Sequence, residues 1–147
     1  MSFLHRAQSP VYVLFRIIVG LMFACHGLHK LFGVFTGAGP LPAVGEWPDW
    51  WAAVIELAGG LLVAFGLATR FAAIICAGAM AYAYFVVHQP GGALPIQNHG
   101  ESAVLYCWAM LVIACMGSGR WSVDAAIRAT VGNAGSEPEG ARSPAST

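Results

Sequence analysis

The sequence predicts an all-α protein, a membrane-spanning antiparallel four-helix bundle with both termini cytoplasmic. Three observations carry that expectation. The 147 residues are 58% hydrophobic and 10% charged, whereas a soluble domain carries about 25% charge. Four apolar stretches of helical length, about 11–33, 49–67, 71–88 and 101–117, are separated by Gly- and Pro-rich or very short connections. Arg6, Arg70, Arg120, Arg128 and Arg142 fall on one set of alternate ends, while the two opposite loops hold no Lys or Arg and contain Glu46. The positive-inside rule then places both ends of the chain and the Arg70 turn in the cytoplasm, with Lys30 as the exception. One domain is expected at 1–128, followed by a disordered tail at 129–147 rich in Gly, Ser, Pro, Ala and Glu.

The first stretch, 11–33, is long enough to cross a hydrocarbon core of roughly 30 Å. It nevertheless carries Arg16, His26, His29 and Lys30. Intramembrane charge costs on the order of 2.5–3.5 kcal/mol per residue, so these groups are expected to face other helices. At about 100° per residue, Arg16, Gly20, Phe23, His26, Gly27 and Lys30 share a stripe about 120° wide, with His29 outside it. Arg16 interrupts the apolar run, and the run is too long for a cleaved leader, so it is read as a retained helix.

Trp47, Trp50 and Trp51 cluster where the loop at 34–48 meets the second helix, an interfacial signal. Asp49 is the expected N-cap of the second helix. On that helix Ala52, Glu56, Gly59, Gly60 and Val63 share a face, and small residues allow close approach in lipid. Ala68-Thr69-Arg70 is short enough to force the second and third helices into antiparallel contact. The third helix is expected to run to His88, with Tyr82 and Tyr84 near its end. After the loop at 89–100 the fourth helix begins at Glu101. Gly117-Ser118-Gly119 ends it, and Ser122 is placed to cap a short surface helix anchored by Trp121.

Depth follows from the rise of 1.5 Å per residue. His26 lies about 6 Å below the outer edge of the core, and Glu56 about 10 Å deep. His88 and Glu101 end and begin their helices on the same side. His26, Glu56 and Glu101 are therefore the candidate proton-exchanging cluster, with Arg16, Lys30 and His88 as candidate cavity-lining, cofactor-binding residues. All but His26 have a plainer reading: Arg16 snorkels to the inner interface, Glu101 favours a helix N-terminus, His88 caps a helix, Lys30 reaches outer headgroups, and Glu56 makes a structural hydrogen bond. His29 and His99 are expected at the surface.

No metal site is assigned. His26 and His29 stand about 60° apart on the wheel, and no compact ligand motif accompanies them. Cys25, Cys76, Cys107 and Cys115 all lie in apolar runs without a C-x-x-C pair and are expected to pack as small hydrophobes. Zero net charge and the lack of a basic motif exclude nucleic acid as a partner.

In their order and spacing these residues resemble the DoxX/DoxD-like family of small bacterial membrane proteins. The resemblance spans about 14–124. It rests on Arg16 with Gly20, HGLHKLFG at 26–33, ELAGG at 56–60, GLATR at 66–70, His88, NHGESAVLY at 98–106 and GSGRWSVD at 117–124. It implies a multi-pass protein of the bacterial plasma (inner) membrane. Some members look like subunits of thiosulfate:quinone oxidoreductases, and others accompany membrane redox complexes that handle thiols and oxidative stress. The expected role is therefore a subunit of, or accessory to, a quinone- or thiol-linked redox system, with quinone as the candidate cofactor. The expected partners are the bilayer, a membrane or soluble redox protein, and a second copy of the chain. A non-catalytic anchor or assembly factor and a small transporter or proton pathway are the alternatives.

Overall fold

The computed structural model describes residues 2–35 and 39–134. Regular structure among them is entirely helical: α1 (Ser2–Phe32), α2 (Asp49–Phe65), α3 (Thr69–Tyr82), the four-residue α4 (Pro95–Asn98), α5 (Glu101–Met116) and α6 (Val123–Ala134). Of the expected disordered tail, 129–134 belongs instead to α6, and 135–147 lies outside the described residues. Two helical segments, Ser9–Phe32 and Thr69–Gly91, are long and apolar enough to cross a membrane; α5 is apolar but shorter. Large apolar side chains cover the outer surface, with Leu105 71%, Phe71 68% and Ile18 54% exposed. A protein in water seldom leaves so much bare apolar surface.

α1 packs chiefly on α2, α2 on α3, and α3 on α5. Glycine sets the first of these seams. A Cβ at Gly20 would lie 2.6 Å from the Ala64 backbone nitrogen and 2.7 Å from the Gly60 carbonyl oxygen, and a Cβ at Gly60 would lie 2.5 Å from the Ala24 nitrogen. The backbones of α1 and α2 touch where any side chain would separate them. Around Phe23, Val63, Cys76, Met110 and Ile113 the helices close a core.

Helix ends differ from the sequence expectation in several places, the largest at the start of α1, which begins at Ser2, before the expected start near 11, and carries Pro10 inside it. Asp49 is the first helical residue of α2 and not its cap; Pro48, already near helical dihedrals, precedes it. The Asp49 carboxylate thus lies in the first turn, where the helix dipole favours it. α3 begins at Thr69, two residues early, because a distant carboxylate caps it. Asp124 accepts hydrogen bonds from the Ala68 nitrogen (2.9 Å), the Thr69 nitrogen (3.2 Å) and the Thr69 hydroxyl (3.1 Å). The third helix does not stay α-helical to His88: a π-helical segment covers Ala83–His88 and a 3-10 turn Gln89–Gly91. Ser122 caps α6 as expected, its hydroxyl accepting from the Ala125 nitrogen at 3.1 Å.

Candidate functional site

The stripe on α1 divides between the two ends of the molecule. At one end the buried Arg16 donates to the carbonyls of Val63, Ala64 and Trp121. Val63 and Ala64 lie in the last turn of α2, where carbonyls lack regular i+4 partners, and Trp121 lies just before α6. The guanidinium supplies donors and a positive charge to the negative end of the helix dipole. Val63 stands seven residues past Glu56, about 10 Å along α2. Arg16 does not line the cavity around Glu56; the sequence expectation of a cavity-lining role gives way to that of a clamp joining α1, α2 and the start of α6.

At the other end, Lys30 Nζ lies 2.6 Å from Glu56 Oε1. The Glu56 side chain is 3% exposed, and its second carboxylate oxygen has no hydrogen-bond partner among the described residues. Most buried polar atoms are partnered, so this oxygen, like the similarly unpartnered Nε of Arg16, calls for an explanation. Beside it is a cavity of about 190 Å³, lined by His26, Lys30, Glu56, His88, Ser102 and Tyr106 together with Phe23, Met80 and Ala103.

Each lining group is placed by a local feature. α1 carries His26 and Lys30 four residues apart, on one face. The close α1–α2 seam brings Lys30 within reach of Glu56. The π-helical segment ends at His88, whose Nδ1 lies 3.1 Å from the Asn98 carbonyl oxygen. A carbonyl only accepts, so Nδ1 carries the proton and a neutral ring keeps Nε2 as an acceptor. The buried Asn98 braces this loop: its amide nitrogen donates to Gly92 O at 2.8 Å, and its oxygen accepts from the Gly100 nitrogen at 2.8 Å. From α5, Tyr106 meets the edge of His26 at a centroid distance of 5.5 Å and Phe23 at 5.3 Å.

Of the six candidates from the sequence, the fold therefore brings together His26, Lys30, Glu56 and His88. Glu101 is exposed and outside the lining; its neighbours Ser102 and Ala103 belong to it. Lys30 pairs directly with Glu56 as well as lining the cavity. Tyr106 and Asn98 were missed. The signal for Tyr106 was its position four residues beyond Ser102 on the same helix face; the signal for Asn98 was an Asn-His-Gly turn immediately before a helix. His29 and His99 lie outside the cavity lining, His29 with Nδ1 2.9 Å from the Val34 carbonyl. Among the described residues no three His, Cys, Asp or Glu side chains are grouped to hold a metal ion.

The match to known proteins covers the residues of this site on α1, α2 and the π-helical segment. A family model described as DoxX matches residues 11–89. The chain belongs to the DoxX family. Relatives of this DoxX protein include an uncharacterized protein of Haemophilus influenzae, 39% identical over 78% of this chain and 90% of its own length. An uncharacterized membrane protein of Mycobacterium tuberculosis is 31% identical over 82% of this chain and 83% of its own. A Bacillus subtilis protein named "Putative oxidoreductase CatD" is 32% identical over 76% of this chain and 83% of its own. No solved structure gives a significant match.

Proposed function

We propose that this DoxX protein is a multi-pass inner-membrane component of a redox system, and that its Lys30–Glu56 pair exchanges protons with a quinone-type carrier in the adjoining cavity. α1, α2, α3 with its π-helical extension, and α5 are read as four antiparallel spans. Both termini are placed in the cytoplasm on the strength of the arginine distribution. Residues 1–128 are read as the membrane unit and 129–147 as its tail.

The observation that carries the reading is the carboxylate of Glu56, buried, paired through one oxygen and unpartnered at the other, beside a cavity walled by two histidines and a tyrosine. The residues fit a quinone ring. Phe23 and Tyr106 offer aromatic walls, the free oxygen of Glu56 accepts from a hydroxyl, and His26, His88 and Lys30 supply further polar groups. A quinol bound there would supply two electrons, for a redox partner, and two protons. The chain's own residues would hold the protons: Glu56, whose carboxylate charge Lys30 offsets until it is protonated, takes one, and His26 or His88 takes the other. The name of the Bacillus subtilis relative agrees with a redox role.

Purification in mild detergent followed by extraction and mass spectrometry tests this. The folded protein is expected to carry prenylquinone, and Glu56→Gln, which keeps size and removes titration, is expected to fold while losing quinone-linked proton release. Folded protein without quinone, or Glu56→Gln with unchanged proton release, would leave Lys30–Glu56 as a helix tie in a non-catalytic anchor.

A further inference from the structure

Two sequence runs, GLATR at 66–70 and GSGRWSVD at 117–124, take no part in the cavity around Glu56. The fold joins them at the opposite end of the molecule, where they line an open groove of about 630 Å³ between the start of α3, the end of α5 and α6. Two arginines border it. Arg70 donates to the Ala114 carbonyl at 3.2 Å and Arg128 to the Ser118 hydroxyl at 3.2 Å. A guanidinium has five N–H donors, so among the described residues each of these exposed side chains keeps most of its donors. Gly117, at φ +81°, keeps space for the Arg70 head group: a Cβ there would lie 3.1 Å from Arg70 Nε.

Asp124 is the single carboxylate among the lining residues, and its two oxygens are engaged by Ala68 and Thr69. Two guanidiniums thus face one carboxylate that is already satisfied, leaving a net positive groove. Its remaining wall is apolar, with Phe71 68% and Met116 56% exposed. Planar donors on one side match a phosphate group. Bare apolar side chains on the other match a hydrocarbon chain, which a free phosphate would leave uncovered. The groove also lies at the end bearing Arg120, where the arginine distribution sets the cytoplasmic leaflet and its negative surface potential.

We propose that this groove binds an anionic phospholipid, its phosphate held by Arg70 and Arg128 and its acyl chain lying along Phe71 and Met116. The site is separate from the one around Glu56, and either can stand without the other.

The test uses the full chain in detergent, delipidated and then titrated with phosphatidylglycerol, phosphatidylcholine or inorganic phosphate, with bound adducts read by native mass spectrometry and Tm followed in parallel. Phosphatidylglycerol is expected to bind and raise Tm in a concentration-dependent way, and the other two probes are not. Arg128→Gln, at an exposed position on α6, should weaken phosphatidylglycerol binding about fivefold, and adding Arg70→Gln should weaken it by about fivefold again. Arg120→Gln, outside the groove, should leave it unchanged. Because Arg70 also bonds the Ala114 carbonyl, Arg70→Lys serves as the folded control and should keep the preference for anionic lipid. Equal binding of the two lipids overturns the proposal, as does inorganic phosphate binding as well as phosphatidylglycerol. Wild-type affinity in Arg128→Gln would overturn it too.

Discussion

Lys30 Nζ reaches across from α1 to Glu56 Oε1 on α2 at 2.6 Å, and the two side chains differ sharply in setting: 44% of the lysine is exposed and 3% of the glutamate. The lysine can leave the pair for a polar environment; the carboxylate cannot. Lys30 also lines a second, larger cavity of about 380 Å³ under the 39–46 loop, together with His29, Glu46 and Asp49. It is therefore the shared wall between that larger cavity and the one holding Glu56. Proton exchange at Glu56 by way of that larger cavity would pass Lys30.

That asymmetry orders the stabilities of variants. Lys30→Met strands a buried acceptor and is expected to cost about 1–3 kcal/mol. Glu56→Gln leaves a neutral group and should cost less, and the combination of Lys30→Met with Glu56→Leu should be milder than Lys30→Met alone, because no buried charge remains. Thermal melts of all three in detergent, set beside the wild type, check the order. A double variant less stable than Lys30→Met would contradict it.

Glycines on the seams should not tolerate substitution, whereas one that faces open space should. Gly20→Val or Gly60→Val pushes a side chain into the backbone of the facing helix and is expected to cost about 1–3 kcal/mol or prevent folding. Nothing lies within 4 Å of a Cβ at Gly78 on α3. Gly78→Ala is expected to be neutral or to stabilise by up to about 1 kcal/mol, since alanine loses less backbone entropy in a helix. The yield of monodisperse folded protein and Tm distinguish the two classes.

Acid should release α6 from the turn between α2 and α3. Burial pushes the Asp124 carboxyl upward, but hydrogen bonds from Ala68 and Thr69 and the charge of Arg128 outweigh it and hold the group below its ordinary value of 3.8. A depressed carboxyl stabilises above its unfolded pKa and loses that contribution as pH falls through the folded one. Amide protection in 123–131 should therefore be constant above about pH 5 and decline below about pH 4. In Asp124→Asn, which has no charge to lose, protection should be lower at neutral pH and show no such decline. Hydrogen-exchange mass spectrometry, corrected for intrinsic rates, reads both.

The orientation is checked by single cysteines in a background with the four native ones replaced. A cysteine at Gly45, in the exposed loop before α2, should react with an impermeant maleimide from outside intact cells. One at Gly135 should react only after permeabilisation. The reverse pattern would place the arginine-rich end outside.

The helical class was legible because composition and period suffice for it. A residue in a long apolar run must bury its backbone polar groups within its own helix, whatever its neighbours do. Glu56 was legible for a related reason: a carboxyl between Ile55 and Leu57 on a glycine face has to meet something. The Arg16 partnership was not. The stripe grouped Arg16 with His26 and Lys30, but a helix rises about 15 Å over ten residues, so one face can serve two distant ends. The π-helical segment at Ala83–His88 also left no sign in residue type, since the same apolar run suits either helix.

The sequence by itself determined that this is an all-helical DoxX protein, roughly where its apolar helices lie, and that Glu56 is a buried charge to account for. Those features depend on local composition and on spacing within one helix. Only the tertiary structure decided that Lys30 is the partner of Glu56, that Tyr106 and His88 close the cavity while Glu101 stays outside it, and that Asp124 caps a helix 55 residues earlier in the chain. Those pairings join groups on different helices, and what selects them is how closely glycine lets α1 and α2 approach and where each helix ends.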